Sequence, residues 1–255
     1  MTKVSHRLKW VPLVWALAAP LGWAQAPAGE TKGSALEHTA ASSQAVIERA
    51  AVVLPAKATG AGVFTGQWKD APTTLRERVP VVVFMHGSSG LGLKAIGEWQ
   101  QWLAEQGIAS VAPDSFALPD RLTYKSPISP DIYERIHALR LSEVSLATQA
   151  LRQAPWADPQ RWVLAGTSEG AAAVARYQGQ EFLGRIVFSW SCENNYFVRG
   201  HGTALPDDKP VLNIISSTDP YFSPANSWLG KPTAARHCAA ALRNNKEASI
   251  VLIPG

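Results

Sequence analysis

The chain has 255 residues, of which 46% are hydrophobic, so it is long and apolar enough for one domain with a large buried core. The formal net charge is +4, but Lys3, Arg7 and Lys9 supply three of these charges within residues 1–26, which hold no acidic residue, so the rest of the chain carries +1. This small charge, without a stripe of basic and aromatic residues, argues against a nucleic-acid partner.

Residues 1–26 have the pattern of a secretory signal peptide. A basic start is followed by an apolar stretch, residues 10–23, that is too short and too interrupted by proline to span a bilayer comfortably. Ala24-Gln25-Ala26 is a small-x-small cleavage site, and Ala26-Pro27-Ala28 is a second candidate. We therefore expect an exported protein, periplasmic or secreted, with no stable membrane span after cleavage. An uncleaved membrane anchor is the alternative.

The segment after this leader shows no hydrophobic period. Residues 27–45 are rich in Ala, Gly, Ser and Thr and predict a flexible lead-in, so a single domain is expected over residues 46–255. Residues 46–54 are expected to begin the fold, and residues 60–68 predict an early antiparallel strand.

A continuous apolar run, Val-Pro-Val-Val-Val-Phe-Met at residues 79–85, predicts a parallel strand that is buried on both faces. A helix is expected at residues 98–106 and a strand at 108–112, followed by a long loop at 116–129. Ser129-Pro130 has the serine cap and first-position proline of a helix start. Apolar residues at near-helical spacing extend this helix to about residue 154.

Strands and a helix alternate again in the last part of the chain. Strands are predicted at residues 185–190, 211–216 and 249–253, and a helix at 232–244. Apolar strands that alternate with helices predict an α/β fold, a mostly parallel, doubly wound sheet with helices on both faces. The functional site of such a sheet lies at the carboxyl ends of its strands.

The motif Gly166-Thr167-Ser168-Glu169-Gly170 stands between an apolar strand and a small-residue segment that can form a helix, the context of a nucleophile elbow. The two glycines leave room where the backbone is crowded, and the turn lifts the Ser168 hydroxyl above the sheet. The Glu169 N–H, at the start of a helix, is a candidate oxyanion donor, and the Ser88 N–H in the loop after residues 79–85 is a second. An ordinary tight turn with a chance serine is the alternative.

A serine nucleophile needs a base, and the base needs an acid that orients it. Asp219, just past the strand at residues 211–216, is the candidate acid, with an aspartate that caps the Asp-Pro turn as the alternative. Asp114 and Tyr196 also follow strand ends and are possible pocket residues, although Asp114 fits a turn former and Tyr196 a packed aromatic equally well.

These motifs together resemble the dienelactone hydrolase family of α/β-hydrolases. The likeness covers residues 79–255 and rests on the order of five motifs: His-Gly-Ser-Ser-Gly-Leu at 86–91, Ala-Pro-Asp-Ser-Phe at 112–116, the elbow, Asp219, and Ile-Pro-Gly at 253–255. The resemblance implies an α/β-hydrolase fold, a nucleophile–acid–histidine order along the chain, and hydrolysis of esters or lactones without a cofactor. Dienelactone hydrolase itself has a cysteine nucleophile, so Ser168 does not carry over the dienelactone substrate.

The family's base is a histidine shortly after the last strand, whereas this sequence ends at Pro254-Gly255. We therefore expect a C-terminally incomplete copy that lacks the base and the closing helix over the last strand. Among the six histidines, His201 in a long loop is the best substitute, with an exposed loop histidine as the alternative. His86 is expected to be structural, its ring holding the pocket loop that includes Gly87.

Cys192 and Cys238 are expected to lie close enough for a disulfide in an oxidising compartment, with two separate buried thiols as the alternative. No metal-ligand spacing and no phosphate-binding glycine loop is present in the sequence. The expected function is a serine hydrolase of a small-molecule ester or lactone. A catalytically silent α/β-hydrolase-fold binding protein is the alternative, and a peptidase or acyltransferase would use the same machinery.

Overall fold

The computed structural model describes residues 29–73, 76–223, 226, 228 and 235–254; the leader predicted at residues 1–26 lies outside them. Short 3-10 helices lie at Trp68–Asp70, Gly90–Gly92 and Ser115–Ala117. The other elements of the described residues are, in chain order, β1 (Glu30–Lys32), α1 (Ala40–Glu48), β2 (Ala51–Leu54), α2 (Ala56–Thr59), β3 (Phe64–Gln67), β4 (Val79–Met85), α3 (Lys94–Glu105), β5 (Ala109–Ala112), β6 (Thr123–Lys125), α4 (Pro130–Gln153), β7 (Ala157–Thr167), α5 (Glu169–Arg176), β8 (Gly184–Phe188), β9 (Val211–Ser216) and β10 (Ala248–Ile253).

Eight of the described strands form one sheet in the order β10-β9-β8-β7-β4-β5-β2-β3. The pairs from β10 to β5 are parallel, while β5–β2 and β2–β3 are antiparallel. The predicted early antiparallel strand is therefore β3. The mostly parallel sheet predicted from the sequence is confirmed, and β4 and β9 have the predicted bounds of 79–85 and 211–216.

Helices pack on both faces of this sheet. Successive side chains of a strand point to opposite faces, so a single strand can contribute to the core on each side. Val81 and Val83 of β4 pack in the large core cluster that includes α4 and α5. Val82 and Phe84 pack in a second cluster with residues of α3. β4, between β7 and β5, thus has core on both faces, as its unbroken apolar run predicts.

Helix α4 begins where its sequence signals place it. The Ser129 side chain accepts a hydrogen bond from the Asp131 N–H, and Pro130 occupies the first turn. The helix then runs to Gln153, close to the predicted end.

The segment expected to be a flexible lead-in is instead structured over residues 29–45. β1 pairs antiparallel with β6, a strand inside the segment that was expected to be a loop. The Thr39 hydroxyl caps α1 by accepting a hydrogen bond from the Ser42 N–H, and the Ser42 hydroxyl accepts one from the Thr39 N–H. β1 depends on a partner about 90 residues later in the chain, which its composition does not reveal, whereas the capping of α1 is a local signal.

The helix expected at residues 232–244 is absent from the described part, 235–244, which consists of turns and bends. Arg236 has a φ of 63°, in the left-handed region that an α-helix excludes. The Cys238 N–H donates to the Asn213 side chain instead of a helical carbonyl.

The last strand, β10, lies at the edge of the sheet, where it pairs in parallel with β9. Val251, Leu252 and Ile253 are 43%, 51% and 49% exposed, so this edge presents apolar side chains to solvent. Within the described residues, no helix combines the length and the apolar character needed to cross a bilayer.

Candidate active site

Ser168 occupies a strained turn between β7 and α5. Its φ is 52° and its ψ is −115°, a conformation that serine adopts only where the surrounding structure holds it. The Ser168 N–H donates to the Phe188 carbonyl of β8 at 3.0 Å, and the Ser168 carbonyl accepts from Ala172 of α5. The backbone therefore has the strand–turn–helix form of a nucleophile elbow.

The two glycines of the motif are required by close backbone contacts. A Cβ on Gly170 would lie 2.0 Å from the Met85 carbonyl oxygen, and one on Gly166 would lie 2.7 Å from the Gly170 oxygen. Gly87 is also close, since a Cβ there would lie 3.4 Å from the Ser168 Cβ. The loop after β4 thus runs beside the serine.

Ser168 and Asp219 line one cavity of about 520 Å³ at the carboxyl end of the sheet. Gly87, Ser88 and Tyr196, all predicted from the sequence, line the same cavity. The remaining described lining residues are Ser89, Leu93, Tyr124, Lys125, Ser126, Thr167, Ser189, Phe197, Pro220, Tyr221, Phe222 and Trp228.

Asp219 is 6% exposed and follows β9, which is separated from β7 in the sheet by β8 alone. Its Oδ1 accepts hydrogen bonds from the N–H groups of Tyr221 (2.8 Å) and Phe222 (2.9 Å). Asp219 therefore caps its turn and also lines the Ser168 cavity, so the two interpretations of this residue are compatible.

The two candidate oxyanion donors come from the start of α5 and from the loop after β4. Glu169 is the first residue of α5, and the first N–H groups of a helix have no partner within it and lie at the positive end of its dipole. Ser88 lines the cavity from the loop after β4.

The Glu169 side chain, in contrast, is completely buried in the core. Its Oε1 lies 2.5 Å from Arg121 Nη2 and 3.4 Å from Arg140 Nε, and its Oε2 accepts from the Tyr124 hydroxyl at 2.9 Å. Burial opposes ionisation of this carboxyl, but the two guanidinium groups outweigh it and hold the pKa of Glu169 below its usual value.

Glu169 belongs to a buried charge network, defined here as Arg121, Arg140, Glu143 and Glu169. Arg140 pairs with Glu143 on α4 and donates to the His86 carbonyl at 2.9 Å. Arg121 and Glu143 both contact the Ser115 hydroxyl, at 2.7 and 2.6 Å. The network thus joins the elbow to the loops after β4 and β5.

Sequence reasoning missed this network, although α4 carries a signal for it. Arg140 and Glu143 stand among the apolar residues that give this helix its buried face, at a spacing of three residues. Charged side chains on a buried helix face are rarely left without partners. Their partners could not be found, because they come from distant loops.

His86, expected to hold the pocket loop, is fully buried and does not itself line the cavity. Its Nδ1 lies 2.7 Å from the Gly87 carbonyl and its Nε2 accepts from the Ser115 N–H at 3.1 Å, so the ring is neutral with its proton on Nδ1. Burial, aided by the Arg140 charge, lowers the pKa of His86 from 6.5 to about 3. Because both nitrogens of the His86 ring already have hydrogen-bond partners, the ring holds the loop and does not serve as a base.

No described histidine lines the Ser168 cavity. His201, the best substitute in the sequence, lies elsewhere, with its N–H and Nδ1 both at the Asn194 side-chain oxygen. His137 is buried against the Phe197 carbonyl (2.9 Å), His38 contacts Glu143 (3.1 Å), and His237 accepts from the N–H of Ala239.

Asp114, expected as a possible pocket residue, does not line the cavity. Its Oδ1 accepts from the Phe116 N–H and its Oδ2 pairs with Arg49 at 3.0 Å, so it is a turn former. The described residues also include no group of His, Cys, Asp or Glu arranged to hold a metal ion.

Cys192 and Cys238 form a disulfide, with their Cα atoms 4.8 Å apart. The bond ties the segment after β8, which carries Tyr196, to the turns at residues 235–244. The Asn213 side chain of β9 supports both segments, donating to the Trp190 carbonyl and accepting from the Cys238 N–H.

Comparison with known proteins relates this fold to solved hydrolases. No protein-family model and no curated protein sequence matches the chain. Among solved structures, a "Putative Dienelactone Hydrolase" from Klebsiella pneumoniae subsp. pneumoniae MGH 78578 is similar, with a TM-score of 0.51 and 16% identity over 72% of this chain and 77% of that chain. Est1E from Butyrivibrio proteoclasticus has a TM-score of 0.49 and 16% identity over 81% of this chain and 84% of its own. At these identities the likeness concerns the fold alone: the chain has the α/β-hydrolase fold.

Proposed function

We propose that this chain is a serine-nucleophile member of the dienelactone hydrolase family that hydrolyses carboxylic ester or lactone bonds of small molecules. The observation that carries the proposal is Ser168, held at a positive φ on a strand–turn–helix elbow and lining one cavity with Asp219 and Ser88. A serine kept in so costly a conformation is typical of a functional site.

In this mechanism the Ser168 hydroxyl attacks the substrate carbonyl carbon, and the Glu169 and Ser88 N–H groups stabilise the oxyanion that forms. A base that Asp219 orients, a histidine in triads of this kind, takes the serine proton and later activates the water that hydrolyses the acyl-enzyme. No described histidine lines the cavity, so this base is the one part of the mechanism that the described residues do not supply. No step of this reaction needs a cofactor.

The buried charge network supports the proposal because it fixes the backbone on both sides of the cavity. Glu169 anchors the start of α5, and Arg140 holds the His86 carbonyl two residues before Ser88. Oxyanion donors stabilise a transition state best when their positions are set in advance, so that no reorganisation is needed during the reaction.

Export is a further part of the proposal. The disulfide between Cys192 and Cys238 supports it, since disulfides persist mainly in oxidising compartments outside the cytosol. Mass spectrometry of the exported protein tests it: cleavage after Ala26 or Ala28 is expected, and an intact Met1 would contradict it.

The hydrolase proposal is tested by base rescue. None of the described histidines lines the cavity, so we expect weak hydrolysis of 4-nitrophenyl acetate by the purified full chain and a marked increase with added imidazole. The imidazole-dependent rate of Ser168→Ala gives the background, and Ser249→Ala, at an exposed serine on β10 that does not line the cavity, is the matched serine control. Robust turnover without imidazole that disappears in Ser168→Ala would show that the chain already supplies its base.

A catalytically silent binding protein is the second candidate, because none of the described histidines lines the cavity. It predicts no difference between the wild type and Ser168→Ala at any imidazole concentration, and no labelling of Ser168 by a fluorophosphonate. Loss of a triad member costs several powers of ten in rate, but an oxyanion hole retains measurable catalysis. A Ser168-dependent rate therefore separates the two candidates.

A further inference from the structure

The Ser168 cavity has one chemically distinctive side. The aromatic residues Tyr124, Tyr196, Phe197, Tyr221 and Phe222 all line it. We call these five residues the aromatic wall. The two phenylalanines are 2% and 1% exposed, whereas Tyr221 is 48% exposed and the other two tyrosines are half-buried. Among the described residues, Trp228 packs on Tyr196 with centroids 5.4 Å apart, and the Tyr221 ring keeps the largest exposed surface of the wall.

The rings of the wall support one another. Tyr196 stacks on Phe222 with centroids 6.1 Å apart and planes at 13°, and its ring lies 6.1 Å from Phe197. Tyr124 lies 6.3 Å from Phe197, and its hydroxyl is bound to Glu169 of the buried charge network. These separations are those of favourable aromatic pairs, so the wall is a preformed surface.

Strand order places Tyr196 and Tyr221 of this wall on the side of Ser168 away from the loop after β4, whereas Tyr124 comes from β6. Ser88, Ser168, Tyr196 and Tyr221 follow β4, β7, β8 and β9 respectively, and the sheet order is β9-β8-β7-β4. A substrate carbonyl at Ser168 that points its oxygen toward Ser88 thus extends the rest of the molecule toward the aromatic rings.

The charges around the cavity favour a neutral substrate. Lys125 is the one cation among the described lining residues, and its Nζ pairs with Glu30 Oε2 at 3.1 Å. Asp219 adds a carboxylate to the same lining. A substrate that carries a free carboxylate would meet this negative charge, and Lys125 would offset it only weakly, because its side chain is 76% exposed and faces solvent.

From the aromatic wall, the strand order and the charges, we propose that the cavity binds uncharged esters that carry an aromatic ring, with the ring packed against Tyr196 and Tyr221. The reaction rests on the proposed hydrolase function, whereas the ring preference is a binding property that can be measured without it.

Binding to Ser168→Ala tests the preference independently of catalysis. The probes are two uncharged amides of matched size, 3-phenylpropionamide and 3-cyclohexylpropionamide, with affinities measured by titration calorimetry or ligand-observed NMR. We expect the phenyl compound to bind roughly twofold to tenfold more tightly, the range that aromatic pairs add beyond burial of area. Equal affinities would overturn the inference.

Single substitutions show which side chains cause the preference for the phenyl compound. Tyr221→Leu removes the most exposed ring of the wall with little effect on folding, and Tyr196→Leu removes the central one; both should reduce the phenyl preference. Trp102→Leu, an exposed aromatic on α3 that does not line the cavity, is the matched control. A preference that survives both tyrosine replacements would also overturn the inference.

The same measurements separate this inference from the proposed function. A phenyl preference without Ser168-dependent hydrolysis supports the aromatic site and refutes the hydrolase. Ser168-dependent hydrolysis with equal amide affinities supports the hydrolase and refutes the aromatic site. In an active protein, phenyl acetate and methyl 3-phenylpropionate then show whether the ring belongs to the alcohol or to the acyl part of the substrate.

Discussion

His86 makes the stability of this protein depend on pH below about 6.5, and His137, whose pKa burial also lowers, adds to this dependence. The unfolded chain binds a proton on this histidine near pH 6.5, whereas burial and the Arg140 charge lower the pKa of His86 in the folded protein to about 3. The folded state therefore excludes a proton that the unfolded state binds. The stability due to the neutral ring is fully present above pH 6.5 and is lost as the pH falls toward 3.

The magnitude follows from linkage. Each pH unit in this interval changes the free energy of unfolding by up to about 1.4 kcal/mol, so the loss approaches roughly 5 kcal/mol over the whole interval. Between pH 7.5 and pH 5 it amounts to about 2 kcal/mol, a large share of a typical total of about 5–15 kcal/mol. Glu143 and Glu169, whose pKa values are lowered, lose their contributions only at more acid pH.

Urea unfolding of wild type and His86→Gln across pH 5–7.5, at constant ionic strength, measures this effect. The variant is less stable at pH 7.5, because it loses hydrogen bonds to Gly87 and Ser115, and the difference should narrow by about 2 kcal/mol at pH 5. Val83→Ala, at a fully buried site on the same strand, introduces no titrating group and should run parallel to the wild type. A constant difference between wild type and His86→Gln would refute the reasoning.

Two further predictions concern the supports of the cavity. Replacing Cys192 and Cys238 together by alanine should lower the free energy of unfolding by roughly 4 kcal/mol on the loop-entropy model, measured by denaturant titration; a reductant should shift the wild type toward the variant and leave the variant unchanged. Gly170→Ala should lower stability by more than about 2 kcal/mol or prevent folding, because its methyl group would meet the Met85 carbonyl. Gly97→Ala on α3, where the Cβ meets nothing within 4 Å, should raise the melting temperature slightly instead.

The parts of the fold that sequence reasoning predicted well are those with local signals. β4 and β9 have the predicted bounds because a buried strand must be apolar along its whole length. The start of α4 follows from Ser129-Pro130, and the elbow follows from two glycines that only close backbone contacts require. Each of these signals lies within the element that it specifies.

The parts that sequence reasoning missed depend on distant residues. β1 is a strand because it pairs with β6, about 90 residues later, and neither has a hydrophobic pattern of its own. Residues 235–244 carry a helical pattern, but the disulfide and the contact of Cys238 with Asn213 hold them in turns. Tertiary contacts override local propensity in both cases.

The buried charge network shows most clearly what a sequence motif leaves out. The motif predicts a role for the backbone N–H of Glu169, as the residue after the nucleophile. The Glu169 side chain lies instead in the core, among Arg121, Arg140 and Tyr124. A buried ion pair often adds little net stability compared with well-packed apolar residues, because both charges lose their hydration. A cluster of four such charges therefore adds little to the stability of the core, but it orients the chain segments that carry it, because hydrogen bonds between charged groups are strong and directional. The segments held in this way are the start of α5 and the loop after β4, which lie beside Ser168.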